Sequence, residues 1–588
     1  MILAFLACTP VEEVSVASPV GALGLGRDNP FPSAELVAEG KVAMVAGDLP
    51  VAAGGEDWDF TLFNLRDGFS VVQPSITMFE VPIDEDSVGG ETQIGIDGTV
   101  RMVDLDSGAP IPCFAELDAA DDAIASGQRT LIVRPMMAMT PGHTVAVVVT
   151  SGVTSGGAPL DLPAPEGHYA DLHAQLADLG YDDVSVAWDF PVGDGRALLD
   201  GVLAALPVPS AHAFSRTWTA GDDAPPPEGV WKQLEGSFTT ANWLVEERSL
   251  ELDTSGAAVV QGTREAYLWV TIPESVRDRE PGTVPVLIFG HGIMSEPDDY
   301  LAGDDSNGVR ALADELGAIV IATKWTGLTS DDRLHALEVA ADFARFHEVP
   351  EMLVQGVADT SALVMYVAQG SLLDDELFEG LADPSQLYYY GISLGGIEGS
   401  VMFANQGSIP RGVFHVGGAA WATMLERSAQ WPPFDIVASR EYPDPWDRQL
   451  LYATTQVLWD PVDPAAHADR MAGRDMIWQE SMGDEQVPNL TTELLMRSVG
   501  GTLATPSVTT PYALVPAAMP TSAPTMVQYD PEVGYPEPVN RPGASSGAHS
   551  IPRSWPGCIQ QSAHFLVTGE VANFCGEAAC SASNPGSW

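Results

Sequence analysis

The stretch LYYYGISLGG, residues 387–396, decides how this sequence is interpreted. Its first four residues are bulky and largely apolar, as in a buried β-strand, and a helix-like run follows. Between them lies the pattern Gly-x-Ser-x-Gly, with Ser393 at its centre. Small residues at Gly391 and Gly395 let the chain turn tightly enough to expose the serine hydroxyl. A strand, a turn and a helix in this order predict a nucleophile elbow, with Ser393 as the candidate catalytic residue.

A second glycine-rich turn follows another apolar strand. The run VLIF, residues 286–289, precedes Gly290 and then His291, Gly292 and Ile293. In the strand–turn–helix arrangement a turn at this place contributes a backbone N–H to an oxyanion hole, and the residue after the nucleophile, here Leu394, contributes the other. We therefore expect Gly292, Ile293 and Leu394 to form the oxyanion hole. His291 is expected to shape the turn and not to act as the base.

The general base is expected near the C-terminus. Two histidines, His549 and His564, follow the region of the candidate acid. His549 lies in the Gly/Ser-rich loop GASSGAHSIP (543–552), where a loop can carry an imidazole over the serine. His564 lies in the helical stretch IQQSAHFLV (559–567), where packing or capping is the expected role. The interpretation favours His549.

The candidate acid is Asp484, in the sequence MGDEQVPN (482–489) just past the apolar strand MIWQ (476–479). A carboxylate at this place can accept the imidazole N–H and hold the tautomer that catalysis needs. The order serine, acid, histidine is the one that follows a nucleophile elbow. Three alternative acids lie within or at the edge of a predicted strand: Asp475, Glu480 and Asp530.

The two parts of the chain differ in pattern. From about residue 250 to 588, continuous apolar strands alternate with helices, which predicts a parallel sheet covered on both faces. Residues 424–470 break this alternation with prolines and Trp431, Trp446 and Trp459, and we expect a cap inserted between two strands. Its aromatic residues suggest an apolar acyl chain as ligand, although they could simply pack against the core.

Residues 20–249 show short alternating or β-branched runs separated by Gly, Asp and Pro, with two helix-like stretches near the end. This spacing is typical of an antiparallel, Ig-like β-sandwich. The proline-rich run AGDDAPPPEG (220–229) is expected to be a linker or a long loop. We therefore predict a β-rich N-terminal domain followed by an α/β domain.

The net charge excludes some partners. The chain has 26 Lys+Arg and 81 Asp+Glu, a formal charge of −55 that is divided almost evenly between the two halves. A surface this acidic is unsuited to nucleic acid or anionic membranes. With 45% hydrophobic residues the chain is expected to be globular. The patches DEDS (84–87) and GDDSNG (303–308) could bind Ca²⁺, but neither has EF-hand spacing, so we favour a solvated surface and expect the reaction to require no metal or organic cofactor; whether Ca²⁺ binds stays open.

The N-terminus and the cysteines both suggest export. The apolar run MILAFLA ends at Cys8, and residues 1–19 are predicted to be a lipoprotein-type leader and linker with Cys8 lipidated; an ordinary apolar N-terminus is the alternative. Cysteines near the C-terminus favour a disulfide over zinc, because no CxxC or HxxxH accompanies them. Its pairing stays open between Cys575–Cys580 and a link from Cys558. The remaining cysteine is Cys113.

Taken together, these motifs resemble known proteins. The C-terminal part, roughly 250–588, resembles an α/β-hydrolase of the lipase/esterase kind. The N-terminal part is similar to the virulence-factor lipase N-terminal domain. Four segments carry this second similarity: NPFPSAEL (29–36), FNLRDGFSVVQPSITMF (63–79), RTLIVRP to TPGHTVAVVVTSG (129–152) and VAWDF (186–190). The resemblance implies a surface lipoprotein, or otherwise a secreted protein, that acts on lipid or lysophospholipid esters.

The sequence thus predicts an exported serine hydrolase for carboxylic esters. Ser393 would attack, His549 would act as base and Asp484 would orient it. The expected partner is a small-molecule or lipid ester, with membrane anchoring through Cys8; the oligomeric state stays open. Alternatives are a polyester depolymerase or peptidase of the same fold, and a surface adhesin without catalytic activity.

Overall fold

An eleven-stranded sheet forms the centre of the computed structural model, which describes residues 30–588. The predicted leader and Cys8 lie outside the described residues. The strands are β1 (His212–Thr219), β2 (Val230–Asn242), β3 (Gly262–Pro273), β4 (Val284–Gly290), β5 (Ile319–Ala322), β6 (Ala382–Ile392), β7 (Arg411–His415), β8 (Asp475–Ser481), β9 (Thr502–Thr505), β10 (Val515–Ala518) and β11 (Thr525–Tyr529).

The order across this sheet is β1-β2-β3-β5-β4-β6-β7-β8-β11-β9-β10. The strands from β5 to β10 are parallel to their neighbours, whereas β1, β2 and β3 pair antiparallel. From β2 to β11 this is the strand order of the α/β-hydrolase fold, in which β4 and β5 exchange places. The prediction of a mostly parallel, doubly covered sheet is confirmed.

Helices cover both faces of the sheet. They are α1 (Pro297–Leu301), α2 (Val309–Leu316), α3 (Arg333–Ala341), α4 (Glu348–Ala368), α5 (Leu394–Asn405), α6 (Trp421–Leu425), α7 (Pro432–Glu441), α8 (Pro445–Trp459), α9 (Ala468–Met471), α10 (Asn489–Val499) and α11 (Pro556–Thr568). Successive strand residues contribute to opposite hydrophobic clusters, as Val286 and Leu287 of β4 do. Because side chains alternate across a strand, both neighbours are buried only when both faces are covered.

The large sheet begins earlier than the expected boundary at residue 250. Strands β1 and β2 precede that boundary, and the run 220–229 is the loop of the hairpin that joins them. Antiparallel strands at a sheet edge lack the continuous apolar runs of central parallel strands, so their sequences look like those of the N-terminal region. The expected linker is therefore a hairpin loop inside the large sheet.

The N-terminal region contains two smaller antiparallel sheets. One has the order Val184–Pro191, Thr144–Thr150, Val100–Asp104 and Pro110–Ile111; the other has the order Ser75–Thr77, Leu131–Pro135 and Cys113–Leu117. Short hairpins pair Val37–Ala38 with Lys41–Val42 and Thr154–Ser155 with Ala158–Pro159. The helices are Thr61–Asn64, Asp121–Ser126, His168–Asp178 and Ala197–Ala205. The Ig-like architecture stays a prediction.

The helices α6 to α9 form an insertion between β7 and β8, at the place where the sequence predicts the cap. Buried ion pairs join this insertion to the N-terminal region. Arg134 contacts both Glu116, on the neighbouring N-terminal strand, and Glu426, which directly follows α6. The cap is thus fixed between the N-terminal sheets and the large sheet.

A disulfide joins Cys575 and Cys580. Cys113 and Cys558 are buried free thiols, so of the two pairings that the sequence left open the structure contains the first. Within residues 30–588, no helix combines the length and the apolar character that crossing a membrane requires.

Candidate active site

Ser393 lies on a strained turn between β6 and α5. Its backbone has φ 57° and ψ −117°, outside the regions that residues with a side chain ordinarily adopt. The strain is maintained by crowding on either side. A Cβ on Gly391 would overlap the backbone of Gly395, and a Cβ on Gly395 would overlap the backbone of Gly290. The two glycines of the predicted elbow are therefore a steric requirement.

Tyr389 reinforces this turn, although no motif in the sequence indicates its role. Its hydroxyl donates to the Gly395 carbonyl at 2.5 Å. A Cβ on Gly399 would collide with the same hydroxyl, so the glycine one turn along α5 leaves room for it. The sequence shows Gly395 and Gly399 one helical turn apart, but only the packing shows that this spacing makes room for the Tyr389 hydroxyl.

The turn after β4 lies beside the serine. A Cβ built on Gly292 would lie 3.6 Å from the Cβ of Ser393. The Gly292 N–H donates to the Tyr300 hydroxyl at 3.1 Å, so this N–H is already engaged. Ile293 and Leu394 line the same pocket as Ser393. Of the three residues predicted for an oxyanion hole, Gly292 thus has its N–H engaged, and the donor role of Ile293 and Leu394 stays a prediction.

His291 holds this turn and does not face the serine as a base. Its Nε2 accepts the Trp325 N–H at 2.9 Å, so its Nδ1 carries the proton and donates to the Gly292 carbonyl at 2.8 Å. Complete burial lowers the pKa of His291 to about 4. The imidazole is therefore neutral at pH 7, in agreement with the expectation that it shapes the turn.

Asp484 and His549 contact one another directly. The Nδ1 of His549 lies 2.8 Å from Oδ2 and 2.9 Å from Oδ1 of Asp484, and both side chains are buried. Asp484 Oδ1 also accepts the N–H groups of Gln486 and Val487, at 2.8 Å and 2.9 Å. These bonds hold the carboxylate in one orientation, and Nε2 is the imidazole nitrogen that Asp484 does not contact.

The loop that follows Asp484 borders the pocket that contains the serine. Gln486 and Val487, which bind Asp484 through their N–H groups, line this pocket together with Ser393. Among the described residues no hydrogen bond joins Ser393 to His549. Catalytic hydrogen bonds are often long in structures without substrate and shorten in the complex.

The rejected alternatives lie elsewhere. His564 faces Glu570 at 3.4 Å on the surface of α11. Glu480 is buried within β8 and accepts from Gln528 at 3.0 Å, while Asp475 begins the same strand. Asp530 accepts a backbone N–H of its own loop. Within residues 30–588 the carboxylate that contacts the His549 ring is that of Asp484.

A largely apolar pocket opens from Ser393. No residue that lines it carries a formal charge. Trp431 and Trp459 of the predicted cap line it, whereas Trp446 is buried in α8 and does not. The remaining lining residues are Ile293, Met294, Leu328, Ala336, Val339, Ala340, Phe343, Phe346, Val349, Leu394, Ile397, Trp421, Met424, Leu425, Ser428, Gln430, Phe434, Gln486 and Val487.

Among residues 30–588, one group of side chains could hold a metal ion, and it lies in the N-terminal region and not at this site. Ligand atoms of Asp104, Asp106 and His143 lie within 4.8 Å of one another. These atoms already bond within the loop, since His143 Nδ1 contacts Asp104 at 2.7 Å and Asp106 accepts the Thr144 N–H.

Comparisons with known proteins find solved structures that have low sequence identity and low structural similarity to this chain. No family model matches the chain, and no curated protein matches it. Acetyl xylan esterase 1 from Thermoanaerobacterium sp. JW/SL YS485 is 14% identical, with 56% of this chain and 86% of that chain covered and a TM-score of 0.35. An esterase from Pyrobaculum calidifontis is 13% identical over 51% and 80% of the chains, with a TM-score of 0.28. A thermostable esterase from Pseudomonas putida ECU1011 is 13% identical over 64% and 88%, also at 0.28.

Proposed function

We propose that this protein is an exported serine hydrolase that cleaves carboxylic esters through Ser393, His549 and Asp484. The observation that carries the proposal is the strained Ser393, which faces an uncharged pocket beside Gly292 and beside the loop of the Asp484–His549 pair. Backbone strain at a serine on a strand-to-helix turn is the mark of an exposed nucleophile.

In the proposed reaction His549 Nε2 takes the proton of the Ser393 hydroxyl as its Oγ attacks the ester carbonyl. Asp484 holds the tautomer in which Nδ1 carries a proton, and stabilises the imidazolium that forms. The N–H groups of Ile293 and Leu394 bind the oxyanion. His549 then protonates the leaving alcohol, and a water molecule activated by the same imidazole cleaves the acyl-enzyme.

The proposed substrates are esters with an apolar acyl group, including lipid esters. The chain carries a net charge of −55, yet the walls of the pocket contain no charged residue. Transfer of a charged group into such a pocket is costly, whereas an aliphatic or aromatic group gains free energy there. Stacked rings form part of the wall, with Trp421 and Trp459 at a centroid distance of 4.6 Å.

Export rests on the sequence around Cys8 and on the C-terminal disulfide. A disulfide persists in an oxidising compartment, and the evenly acidic surface suits a saline exterior. Membrane attachment through a lipidated Cys8 is part of the proposal. Mass spectrometry of the native N-terminus tests it, since an unmodified Cys8 or an intact leader would contradict lipidation.

The decisive experiment is a panel of nitrophenyl esters from acetate to palmitate, with wild type and Ser393→Ala compared at equal concentrations. The expected result is hydrolysis by wild type that the substitution abolishes. Hydrolysis that persists in Ser393→Ala would overturn the mechanism, and no hydrolysis by wild type would favour a binding protein. The optimal chain length separates a lipase from an esterase, and polyester films and peptides test the depolymerase and peptidase alternatives.

A further inference from the structure

The loop that carries His549 is bound by a second acidic residue. Glu485, the neighbour of Asp484, accepts three hydrogen bonds from this loop. Its Oε2 accepts from the Ser546 hydroxyl at 2.9 Å and from the His549 N–H at 3.2 Å, and its Oε1 accepts from the Gly547 N–H at 3.1 Å. Asp484 thus contacts the ring of His549, and the next residue, Glu485, contacts the main chain of His549.

These contacts require a carboxylate. Glu485 is 1% exposed, and all three partners are neutral donors. An ionised carboxylate accepts at both oxygens without presenting a proton, whereas an amide would turn an N–H₂ group toward one of the donors. Burial by itself raises the pKa of Glu485, but the hydrogen bonds from its own backbone N–H, Ser546, His549 and Gly547 outweigh burial and lower it below its usual value. The side chain is therefore ionised at neutral pH.

The main chain of Glu485 extends the same connection to the cap. Its carbonyl accepts the Ala429 N–H at 2.7 Å. Next to it, the side chain of Gln430 donates to Gln486 at 3.0 Å, and both glutamines line the pocket of Ser393. The loop of residues 484–486 thus contacts the His549 ring, the main chain of the segment that carries His549, and the cap.

We infer that Glu485 is a positioning residue for the reaction: its carboxylate fixes the main chain at 546–549 and so places the His549 ring between Asp484 and Ser393. The inference rests on the proposed function. The Ser481 hydroxyl and the Arg553 guanidinium donate to the carbonyls of Ala548 and His549, so the loop is held at its carbonyl groups by these donors and at its N–H groups by Glu485. Displacement of a catalytic group by about 1 Å costs up to about 100-fold in rate.

The test compares wild type with Glu485→Gln on the nitrophenyl ester that wild type hydrolyses best. We expect kcat to fall by about 10-fold to 100-fold while KM stays within about 2-fold, because the acyl pocket is unchanged. A matched control is Glu351→Gln, which removes another buried carboxylate that accepts a backbone N–H, from Leu250 at 2.8 Å, away from the serine. This control is expected to keep the wild-type kcat even where its melting temperature falls.

A wild-type kcat in Glu485→Gln would overturn the inference, as would an equal loss of kcat in both variants. If Glu485→Gln does not fold, Ser546→Ala decides: it removes one of the three bonds and should lower kcat by about 3-fold to 10-fold with KM unchanged. An unchanged kcat in Ser546→Ala would then overturn the inference.

A second measurement separates this inference from the proposed function. Hydrogen exchange of peptides that span 543–552, followed by mass spectrometry, should be faster in Glu485→Gln than in wild type and unchanged in Glu351→Gln. If wild type hydrolyses no ester, the proposed function fails. Unaltered exchange in Glu485→Gln, in a protein that is active, would contradict the positioning role alone.

Discussion

Both carboxylate oxygens of Asp484 lie within 2.9 Å of the Nδ1 of His549, although the two residues are 65 positions apart in the sequence. Each is buried, and each lies on a loop beyond the end of a sheet strand. A carboxylate that accepts from Nδ1 leaves Nε2 to serve as a base, and this contact gives rise to the first prediction.

Asp484→Asn should lower kcat on the order of 10³-fold to 10⁴-fold and leave KM nearly unchanged, because an amide no longer holds the required tautomer. Steady-state kinetics on a nitrophenyl ester measures both constants. Asp475→Asn is the control, since Asp475 lies at the far end of β8 and pairs with Arg411. An equal loss in the control would show that Asp484 has no special role.

Gly395→Ala should destabilise the fold by about 3 kcal/mol or more, because the added Cβ would overlap backbone atoms of Gly290, which cannot move aside. Gly407→Ala, just beyond α5, is the control: a Cβ there meets nothing within 4 Å. Urea denaturation of both variants provides the comparison. A wild-type unfolding midpoint in Gly395→Ala would refute the steric account of the elbow.

Phe434→Asp should raise KM for an octanoate ester by about 10-fold and change KM for the acetate ester by less than about 2-fold. Phe434 stacks on Trp431 at the pocket wall, and an aspartate there places a charge beside the acyl chain. Ile436→Asp on the same helix is the control, because Ile436 is 70% exposed. Similar effects of the two variants, or equal effects on both esters, would argue against an acyl site in this pocket.

The stability of the Glu398→Gln variant, relative to that of wild type, should increase as the pH rises from 4 to 8. Burial first, and the charge of Asp463 second, raise the pKa of Glu398 well above its usual value. The folded state therefore keeps a proton that the unfolded chain releases, so wild type loses stability as the pH rises above about 4.5. Melting temperatures across this range test the slope, with the exposed Glu577→Gln as control. A pH-independent difference would mean that Glu398 is not held protonated.

Arg134→Met should lower the free energy of unfolding by about 3–5 kcal/mol, because it leaves the buried carboxylates of Glu116 and Glu426 without this partner. Arg134 is 1% exposed and contacts them at 2.6 Å and 3.0 Å. Arg440→Met is the control, since Arg440 is 83% exposed and its pair with Glu441 is at the surface. A loss under about 1 kcal/mol would show that this network does not join the N-terminal region to the cap.

The features that could be predicted from the sequence were those that a run of contiguous residues encodes. The run 387–396 predicts a strand, a turn and a helix because the apolar residues and the glycines that define them are contiguous. The apolar strands after residue 250 predict the parallel sheet for the same reason. The strands His212–Thr219, at the edge of the sheet, and Val230–Asn242, next to it, were not recognised, because these antiparallel strands resemble those of the N-terminal region.

The sequence alone determined the chemical types and their order: a serine between two glycines, an acid after a later strand and a histidine in a loop near the C-terminus. Only the tertiary structure decided which acid meets the histidine, that Tyr300 engages the Gly292 N–H and that Glu485 binds the loop of His549. It also decided that Trp431 and Trp459, but not Trp446, line the pocket. Residue type and spacing act through neighbours in the chain, whereas these contacts join segments many residues apart and exist only once the sheet brings its strand ends together.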